Sequence, residues 1–472
     1  MTLLLEDREL APGKQIPLEA RTANLEPTDR FGVNWAGRTV LVVGLGKSGL
    51  AACRLLERLG CRVRVSELRQ RPEMQEIASQ LRASGVEQVD LGHQDPQIID
   101  GCDVAIVSPG VPESAPPLQW ATARGLPVLS EVELAFRFCR APVVAVTGTN
   151  GKSTTVTLIH RVLQAARRKA VACGNLGTPC CDVLPGLSPA SIAVIEVSSF
   201  QLLACDQFRP HVAVLLNLGA NHLDRHSSRE MYIAAKARLF QRQGQEDHAV
   251  LNGRDPEVEK LAWRINAQRV WFGKDHGNPP ALRIHEATAR ALPDSAQAVL
   301  QVCRILSIPD PLTYQVIREF RGLEHRMEYV TTVRGVRIIN DSKSTTPDSL
   351  LYALGQCRAG VVAIIGGRDK GLDFRSLGPA LRQERVRGVV LIGEARTQIR
   401  GVIEQGPGGE AAQRIREAET LDSALTAAMS LAEPGDTLLF SPACASFDMF
   451  KNFEDRGRAF KALVKQLQAQ DD

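Results

Sequence analysis

Short apolar runs recur along the chain, and stretches with helical periodicity separate most of them. Most of these runs are continuously apolar instead of alternating with polar residues, which is typical of strands in a parallel sheet covered by helices on both faces. The pattern therefore predicts an α/β fold with three successive sheets. The runs are Thr39–Val43, Arg62–Val65, Val104–Val107, Val143–Val146, Ile192–Ile195, Val212–Leu216, Val361–Ile365, Val389–Ile392 and Thr437–Phe440.

The length of 472 residues exceeds what one hydrophobic core supports, so several domains are expected. Residues 1–35 are polar and contain scattered prolines, and they predict an N-terminal extension. Changes in the sequence pattern near residues 139 and 322 predict domain boundaries, so that three domains follow the N-terminal extension. These are a Rossmann-like domain over 36–139, a central domain with a mostly parallel sheet over 140–322, and a Rossmann-like C-terminal domain over 323–472.

Composition restricts the class of protein without identifying it. Lys and Arg number 57 against 53 Asp and Glu, a net charge of +4 that gives no strong attraction to nucleic acid or membrane. No apolar run approaches the roughly 18 residues of a membrane span, and charged residues follow Leu3–Leu5 at once. The 11 cysteines have no regular spacing and predict reduced thiols in the core. We expect a cytoplasmic protein that acts as a monomer.

A glycine-rich turn follows the first strand. Gly44–Gly49 (GLGKSG) opens a helix, and Glu67 ends the next strand about 20 positions further on. In this context the glycines let backbone N–H groups approach a phosphate at the helix N-terminus. Three interpretations stay open: a nicotinamide cofactor whose ribose meets Glu67, another nucleotide diphosphate, or glycines needed only for packing.

A second turn, Ser108–Pro112, comes directly after the strand Val104–Val107. The carboxyl ends of parallel strands are where α/β domains bind ligands, so this loop should face the same crevice as the glycine turn. Its proline and glycine are also explained by loop shape alone.

The strongest motif is Val143–Thr154 (VVAVTGTNGKST), in which a strand leads into a glycine-containing loop and then a helix. Its spacing is shorter than that of the common P-loop. Backbone N–H groups, an ammonium and a hydroxyl that can ligate Mg²⁺ are nonetheless the groups that a triphosphate requires. The motif predicts ATP binding by a sheet of P-loop ATPase type, through Gly148, Thr149, Asn150, Gly151, Lys152, Ser153 and Thr154.

Polar groups end the next two strands of the central domain. Glu196, in Glu196–Gln201 (EVSSFQ), is a hard oxygen ligand suited to Mg²⁺, although a helix cap explains the same turn. His222, in Asn217–His226 (NLGANHLDRH), is either a ligand or a structural histidine. Lys236 lies in a helical segment, Tyr232–Phe240, and periodicity alone predicts that it is solvent-exposed.

In this order, the phosphate loop, Glu196–Gln201, His222–His226 and Lys236 resemble the Mur ligases, ATP-dependent amide-forming enzymes of peptidoglycan synthesis. The resemblance implies catalytic roles for Lys152, His222, Lys236 and Arg326. It implies two Mg²⁺ ions, one on Ser153 and Glu196 and the other on His222 and a Lys236 carbamylated by CO₂. Arg326, in Gly322–Arg326 (GLEHR), would reach the γ-phosphate.

Three further motifs follow strands of the C-terminal domain: Asn340–Thr345, Gly366–Lys370 and Ser441–Gly457. They resemble the branch of the family that adds D-glutamate to UDP-N-acetylmuramoyl-L-alanine. The resemblance implies that Asp341 holds the ATP ribose. D-glutamate would meet Lys343, Thr345, Lys370, Ser446, Phe447 and Phe453. The UDP substrate would meet Gly44, Gly46, Ser48, Glu67, Arg69, Ser108, Asn175 and Ser198.

One departure from the family concerns adenine. A Gly-x-His-Asn-x-x-Asn segment, whose asparagines contact adenine, is absent from His285–Gln297, which predicts weaker ATP binding or broader nucleotide choice. The alternatives are a folylpolyglutamate-type ligase, which would not need the Gly44 turn, a dehydrogenase, which leaves the phosphate loop unexplained, and a non-catalytic UDP-sugar-binding relative. Retention of Lys152, Glu196, His222 and Lys236 argues against the last.

Overall fold

Three β-sheets, built mostly of parallel strands, form the framework of the chain. The computed structural model describes residues 25–70, 72–175, 177–219, 226, 228–283, 292–320, 322–357, 360–369, 371–405 and 414–471. Met1–Glu319 forms one compact unit with two sheets, and Phe320–Asp472 forms a second unit with one. The predicted α/β class and three sheets are confirmed, and the residue limits of the four predicted segments stay a prediction.

The first sheet has five parallel strands in the order β3-β2-β1-β4-β5. β1 pairs with β2 on one side and with β4 on the other, so the order in which strands are added to the sheet reverses next to β1. Such a switch point opens a crevice at the carboxyl ends of the two central strands. The strands are β1 Thr39–Val43, β2 Arg62–Glu67, β3 Gln88–Leu91, β4 Val104–Val107 and β5 Val128–Ser130.

Four of the described helices pack on this sheet. The predicted helix after the glycine turn is confirmed, with most of its apolar residues buried and Gly60 at a φ of +73° just beyond its end. That positive φ suits glycine, which ends a helix without strain. The helices are α1 Lys47–Arg58, α2 Pro72–Ser84, α3 Pro116–Ala123 and α4 Glu131–Arg137.

The second sheet has six parallel strands in the order β11-β10-β9-β6-β8-β7. Its central strand, β6, is fully buried and lies between β8 and β9, so the loops after these three strands meet at one edge. The strands are β6 Val143–Thr147, β7 Ala170–Gly174, β8 Ile192–Glu196, β9 Val212–Leu215, β10 His248–Asn252 and β11 Gln268–Phe272.

Helices cover the second sheet, and its core strands β6, β8 and β9 are buried along their whole length. Burial of each Val, Leu or Ile side chain contributes roughly 1.5–3 kcal/mol, which explains the continuous apolar runs. The helices are α5 Lys152–Ala165, α6 Ser199–Leu203, α7 Arg229–Ala237, α8 Pro256–Ala262, α9 Asp294–Ile305 and α10 Asp310–Glu319.

The second unit contains a six-stranded sheet in the order β12-β13-β17-β14-β15-β16, in which only the β12 and β13 pair is antiparallel among the described strands. The strands are β12 Glu328–Val333, β13 Val336–Asn340, β14 Val361–Gly366, β15 Val386–Ile392, β16 Ile415–Glu417 and β17 Thr437–Phe440. The helices are α11 Pro347–Gln356, α12 Leu377–Leu381, α13 Arg396–Glu404, α14 Leu421–Leu431 and α15 Phe453–Asp471.

The cysteines lie mostly in the interior, as small core residues do. All 11 carry free thiols, and only Cys61 and Cys102 are partly exposed. Burial raises the pKa of the Cys53 thiol to about 12. Across the described ranges, none of the helices has the length and apolar character that crossing a membrane requires.

Candidate active site

The loop between β6 and α5 carries the predicted phosphate-binding motif. Gly148 and Gly151 have φ values of +149° and +83°, backbone conformations that favour glycine. A Cβ at Gly148 would lie 3.0 Å from the Leu216 Cβ, so the loop also packs tightly. Ser153 is buried in the first turn of α5 and Thr154 is half-buried. The structure therefore places the predicted ATP-binding residues of the central domain in one turn.

Two lysines meet at this loop. Lys152 Nζ donates to the carbonyl oxygens of Gly148 and Thr149 at 2.9 Å each. Lys236 Nζ donates to the same Gly148 oxygen at 3.0 Å and to Thr147 Oγ1 at 3.3 Å. The prediction from periodicity that Lys236 is solvent-exposed is wrong, because its side chain is only 2% exposed. It extends from α7 into the sheet edge because Tyr232 and Ala235 beside it are buried.

Burial changes the ionisation of Lys236. Desolvation, and then the nearby positive charge of Lys152, lower the pKa of Lys236 well below its ordinary value, while Glu196 opposes the shift. This shift favours the neutral amine over the ammonium, and the neutral amine is the nucleophilic form of a lysine side chain. The site can therefore support chemistry on the Lys236 nitrogen.

Glu196 ends β8 in a buried position beside the phosphate loop. Asn175 Nδ2 donates to its Oε1 at 2.7 Å, and the Asn175 backbone N–H donates to its carbonyl oxygen at 2.9 Å. Its second oxygen, Oε2, is buried without a hydrogen-bond partner among the described groups. A buried carboxylate oxygen held in this way fits a Mg²⁺ ligand.

The predicted metal ligands come from four positions, and the structure describes three of them. His222 lies outside the described residues. Within the ranges described above, no three His, Cys, Asp or Glu side chains come together as a metal site. The sets that combine Ser153, Glu196, His222 and carbamylated Lys236 thus stay predictions.

Sequence reasoning missed the role of Tyr232, which it named only as part of the helical segment that contains Lys236. The Tyr232 hydroxyl lies 2.9 Å from Thr149 Oγ1, and its ring centroid lies 4.7 Å from Lys236 Nζ. Burial raises the pKa of Tyr232 to about 12. Its spacing, one helical turn before Lys236, is the signal that could have indicated the contact.

A cavity of about 260 Å³ opens beside these groups. It brings loop residues after β4 of the first sheet together with the phosphate loop and both lysines. Ser198, which lines it, also caps α6 by accepting from the Gln201 N–H at 3.3 Å. The cavity is lined by Pro109, Gly110, Gly148, Lys152, Asn175, Ser198, Ser199, Phe200, Tyr232 and Lys236.

The glycine turn and the Ser108 loop meet at the switch point of the first sheet. Ser108 Oγ donates to the Gly44 carbonyl oxygen at 2.8 Å. A Cβ at Gly49 would collide with that same oxygen, whereas one at Gly46 would meet nothing within 4 Å. The predicted substrate-binding residues Gly44, Gly46 and Ser108 are therefore brought together, with Ser48 half-buried in the first turn of α1.

Glu67 organises this turn. Its Oε2 accepts from the Leu45 N–H at 2.7 Å, and Arg69 forms a two-pronged ion pair with both of its oxygens. Burial raises the pKa of Glu67, but the hydrogen bonds from Arg69 and Leu45 outweigh it and leave a net lowering. Glu67 thus holds the loop in shape as well as lying where the sequence predicts a contact with the substrate.

In the second unit, Asp341 follows β13 and is buried. Ser344 and Ser441 donate to its Oδ2 at 2.6 and 2.9 Å, and the Met327 N–H donates to its Oδ1 at 3.0 Å. Burial raises the pKa of Asp341, although these hydrogen bonds oppose the shift. Arg326, half-buried, lies in the adjoining turn. The carboxylate is therefore rigidly oriented.

The described D-glutamate candidates follow β13 and β17 of the same sheet or, in the case of Phe453, begin α15. Lys343 Nζ lies 5.5 Å from the Phe453 ring centroid. Thr345 is half-buried, Ser446 is buried and Phe447 is half exposed. Lys370 lies outside the described residues, so its predicted contact stays a prediction.

Arg456 joins two of these loops, a role the sequence did not indicate. It is buried on α15, where its guanidinium donates to the carbonyl oxygens of Ser342 at 2.8 Å and Cys444 at 3.0 Å. The Cys444 thiol is buried and its pKa is raised to about 12, so it stays protonated. Cys444 therefore contributes its carbonyl oxygen to the loop, with no sign of a reactive thiol.

Three family models match the chain in succession. The Mur ligase MurD-like N-terminal domain matches residues 38–130, the Mur ligase middle domain matches 146–302, and the Mur ligase glutamate ligase domain matches 325–444. These matches contain the glycine turn, the phosphate loop with its two lysines and the Asp341 loop. The chain belongs to the Mur ligase family.

Similar proteins within the family carry the name of one particular ligase. UDP-N-acetylmuramoylalanine--D-glutamate ligase from Koribacter versatilis is 35% identical over 456 residues, covering 92% of this chain and 99% of the relative. The enzyme of that name from Geobacillus kaustophilus is 38% identical over 451 residues, covering 91% and 98%.

Solved structures show the fold. UDP-N-acetylmuramate-alanine ligase MurC from Thermotoga maritima is 18% identical, with a TM-score of 0.53 over 92% of this chain and 99% of that one. MurF from Acinetobacter baumannii is 17% identical, with a TM-score of 0.53 over 86% and 90%. At these identities the likeness concerns architecture alone.

Proposed function

We propose that the protein is an ATP-dependent ligase that adds D-glutamate to UDP-N-acetylmuramoyl-L-alanine in peptidoglycan synthesis, and so serves cell shape and cell division. The relatives of that name match nearly their whole length to this chain. Within the structure, one observation supports the proposal most directly: Lys152 and Lys236 converge on the Gly148 carbonyl oxygen.

The position of the cavity explains how a long substrate is used. Its walls include Pro109 and Gly110, next to the glycine turn that would hold the UDP diphosphate, and Gly148 and Lys152 of the phosphate loop. A substrate anchored at the first sheet can thus extend its carboxylate to the phosphate loop. This arrangement favours activation of a carboxylate by ATP over hydride transfer, which leaves the phosphate loop without a role.

The reaction joins two anions before it forms an amide. A carboxylate oxygen of UDP-N-acetylmuramoyl-L-alanine attacks the γ-phosphorus of ATP. The bond between the γ-phosphorus and the oxygen bridging it to the β-phosphate breaks. ADP departs, and the product is an acyl phosphate. The amine of D-glutamate then attacks the acyl carbon, releasing phosphate and a proton. The Lys152 ammonium offsets charge on the transferring group. The reacting groups must be held roughly 3–3.5 Å apart for each attack.

The residues present fit Mg²⁺. Ser153 and Glu196 would hold one ion, and His222 with carbamylated Lys236 would hold a second. The buried Glu196 Oε2, which has no hydrogen-bond partner among the described groups, supports this assignment. Bound Mg²⁺ supplies positive charge that lowers repulsion between the carboxylate and the triphosphate. Carbamylation joins the neutral Lys236 nitrogen to the carbon of CO₂ and releases one proton. The product is a carbamate, an anion whose oxygen atoms can ligate a cation.

The roles of the remaining site residues are proposed from the resemblance to the Mur ligase family. Arg326 would contact the γ-phosphate and Asp341 the ATP ribose. The adenine-contacting asparagines expected near His285–Gln297 are absent, so a lower ATP affinity or broader nucleotide choice stays a prediction. Gln297, in the described part of this segment, bonds backbone groups of Gly273 and Leu292. D-glutamate would meet Lys343, Thr345, Lys370, Ser446, Phe447 and Phe453.

ATP and a UDP-linked sugar are cytoplasmic metabolites, so we propose that the enzyme acts in the cytoplasm. We expect a monomer, since each proposed ligand is assigned to residues of one chain. No contact with nucleic acid or membrane is required by the reaction.

The test is phosphate release from ATP by the purified chain with UDP-N-acetylmuramoyl-L-alanine, scanned over L- and D-amino acids. We expect D-glutamate alone to stimulate release, with the amide product identified by mass spectrometry. Stimulation by a different amino acid would assign another ligase of this type, and no turnover with any amino acid would favour a non-catalytic UDP-sugar-binding protein.

A further inference from the structure

Asn217 follows β9 and lies beside the phosphate loop. Its Oδ1 accepts a hydrogen bond from the Asn150 N–H at 2.8 Å, and its Nδ2 donates to the Asn150 carbonyl oxygen at 3.2 Å. One side-chain amide thus pairs with both polar groups of a single backbone residue. In an antiparallel sheet, a residue of a neighbouring strand pairs with the N–H and C=O groups of one residue in the same way.

The backbone of Asn217 holds the preceding loop residue. Its carbonyl oxygen accepts from the Thr149 N–H at 3.0 Å, and the Leu216 N–H donates to the Thr147 carbonyl oxygen at 3.1 Å. Since β6 and β9 are parallel neighbours, strand pairing continues past their ends. Asn217 therefore fixes Thr149 with its main chain and Asn150 with its side chain.

This arrangement determines which donors a phosphate can use. The N–H groups of Thr149 and Asn150 are directed to Asn217, so backbone recognition of a phosphate falls to the first turn of α5. The first N–H groups of a helix have no acceptor within the helix, and they form its positive end. Gly148 and Gly151 give the intervening loop great backbone freedom, so the direction of that turn depends on what restrains Asn150.

We propose that Asn217 is a positioning residue for ATP: its side-chain amide clamps Asn150 and so presents the first turn of α5 and Lys152 to the triphosphate. The proposal rests on the function proposed above. Without the amide, the main-chain pairing of β6 and β9 persists while Asn150 is released. The nucleotide must then order the loop as it binds, which weakens binding.

The chain contains a matched control. Asn278 clamps Trp271 with the same chemistry, accepting from the Trp271 N–H at 2.6 Å and donating to the Trp271 carbonyl oxygen at 2.8 Å. Trp271 lies in β11, and β10 and β9 separate β11 from β6. Removal of either amide deletes one donor and one acceptor, but only Asn217 touches the phosphate loop.

The experiment titrates the full-length wild type, Asn217→Ala and Asn278→Ala with ADP in the presence of Mg²⁺, and separately with UDP, by calorimetry. We expect Asn217→Ala to raise the Kd for ADP roughly tenfold or more and to leave the Kd for UDP unchanged. Asn278→Ala should lower the unfolding temperature without changing either Kd. An unchanged ADP Kd in Asn217→Ala, or an equal rise in both variants, would overturn the proposal.

A second variant tests the proposal in case Asn217→Ala does not fold. If Asn217→Ala does not fold, Asn217→Ser keeps a polar group while removing the two-bond clamp. In steady state it should raise the KM for ATP with no change in the KM for D-glutamate, a difference that a general loss of structure would not produce. A rise in both KM values would count against the clamp, and a wild type that binds no ADP would overturn the proposed function together with this inference.

Discussion

The Nζ of Lys236 donates a hydrogen bond to the Gly148 carbonyl oxygen at 3.0 Å, the same oxygen that Lys152 contacts at 2.9 Å. Two lysine side chains therefore share one acceptor, and the side chain of Lys236 is buried. Their repulsion, added to desolvation, favours the neutral Lys236 amine. A carbamate at this nitrogen would replace the repulsion by attraction, since it is an anion next to Lys152.

We predict that Lys236→Ala and Lys236→Arg each lower the rate of amide synthesis by roughly a hundredfold or more, because neither side chain can form a carbamate. The folded structure should persist in Lys236→Ala, since the hydrogen bonds that are lost go to a hydroxyl and a backbone carbonyl oxygen. The measurement is D-glutamate-dependent phosphate release alongside thermal unfolding. Lys169→Ala, at an exposed position, is the control with unchanged activity. Wild-type activity in Lys236→Ala would eliminate the carbamate proposal.

The sequence was sufficient for elements whose pattern is local. The apolar strands β1 and β4, the helix after Gly44 and the phosphate loop all lie where their residues predicted them. Short or polar edge strands were missed. An example is β11, which begins with exposed Gln268 and Arg269 and therefore lacks a continuous apolar run.

Side-chain burial was harder to predict than position in the chain. Lys236 was assigned to solvent from helical periodicity alone, but its packing depends on Tyr232 and on a loop from another strand. Likewise, the pairing of Asn217 with Asn150 joins residues far apart in sequence, and no periodicity encodes such a contact. Charge pattern on α15 could not indicate which arginine turns inward.

We predict different effects for two glycines of the same turn. Gly49→Ala should destabilise the protein by about 1–3 kcal/mol, since its Cβ would collide with the Gly44 carbonyl oxygen. Gly46→Ala should fold normally, because nothing lies within 4 Å of its Cβ, and instead weaken UDP binding by blocking close approach of the diphosphate. Thermal unfolding and UDP titration of both variants test this. Equal unfolding temperatures for the two would show that Gly49 has no packing role.

We predict that Glu131 makes stability depend on pH. Glu131 is buried at the start of α4, where its Oε1 accepts from the Cys181 N–H at 2.6 Å, and burial raises its pKa from 4.5 to about 7. Between these two values the folded state binds the proton that the unfolded state has lost. The free energy of unfolding therefore falls by up to about 3 kcal/mol as the pH rises through this window.

The comparison variant is Glu131→Gln, which cannot titrate. Its unfolding temperature, relative to that of the wild type, should rise as the pH increases from about 5 to about 8. Glu113→Gln, at an exposed position, should show a constant difference over the same range. A pH-independent difference for Glu131→Gln would contradict the predicted titration.

We predict that Arg456, not Arg458, supports the loops assigned to D-glutamate. Arg456 is fully buried and donates to the Ser342 Oγ and to the carbonyl oxygens of Ser342 and Cys444, while burial lowers its pKa only to about 10, so it remains charged. Arg456→Ala should cost about 3–5 kcal/mol of unfolding free energy, because the buried acceptors lose their donors. It should also raise the KM for D-glutamate, since Lys343 adjoins Ser342.

Two further variants separate charge from geometry. Arg456→Lys keeps the positive charge but cannot reach three acceptors with one ammonium, so it should lose most of the same stability. Arg458 is exposed and pairs with Asp455, so Arg458→Ala should change the free energy by less than about 1 kcal/mol. Thermal unfolding and the KM for D-glutamate are measured in all three. If Arg458→Ala raised that KM as much as Arg456→Ala does, positive charge on α15 would explain the effect and the buried hydrogen bonds would not.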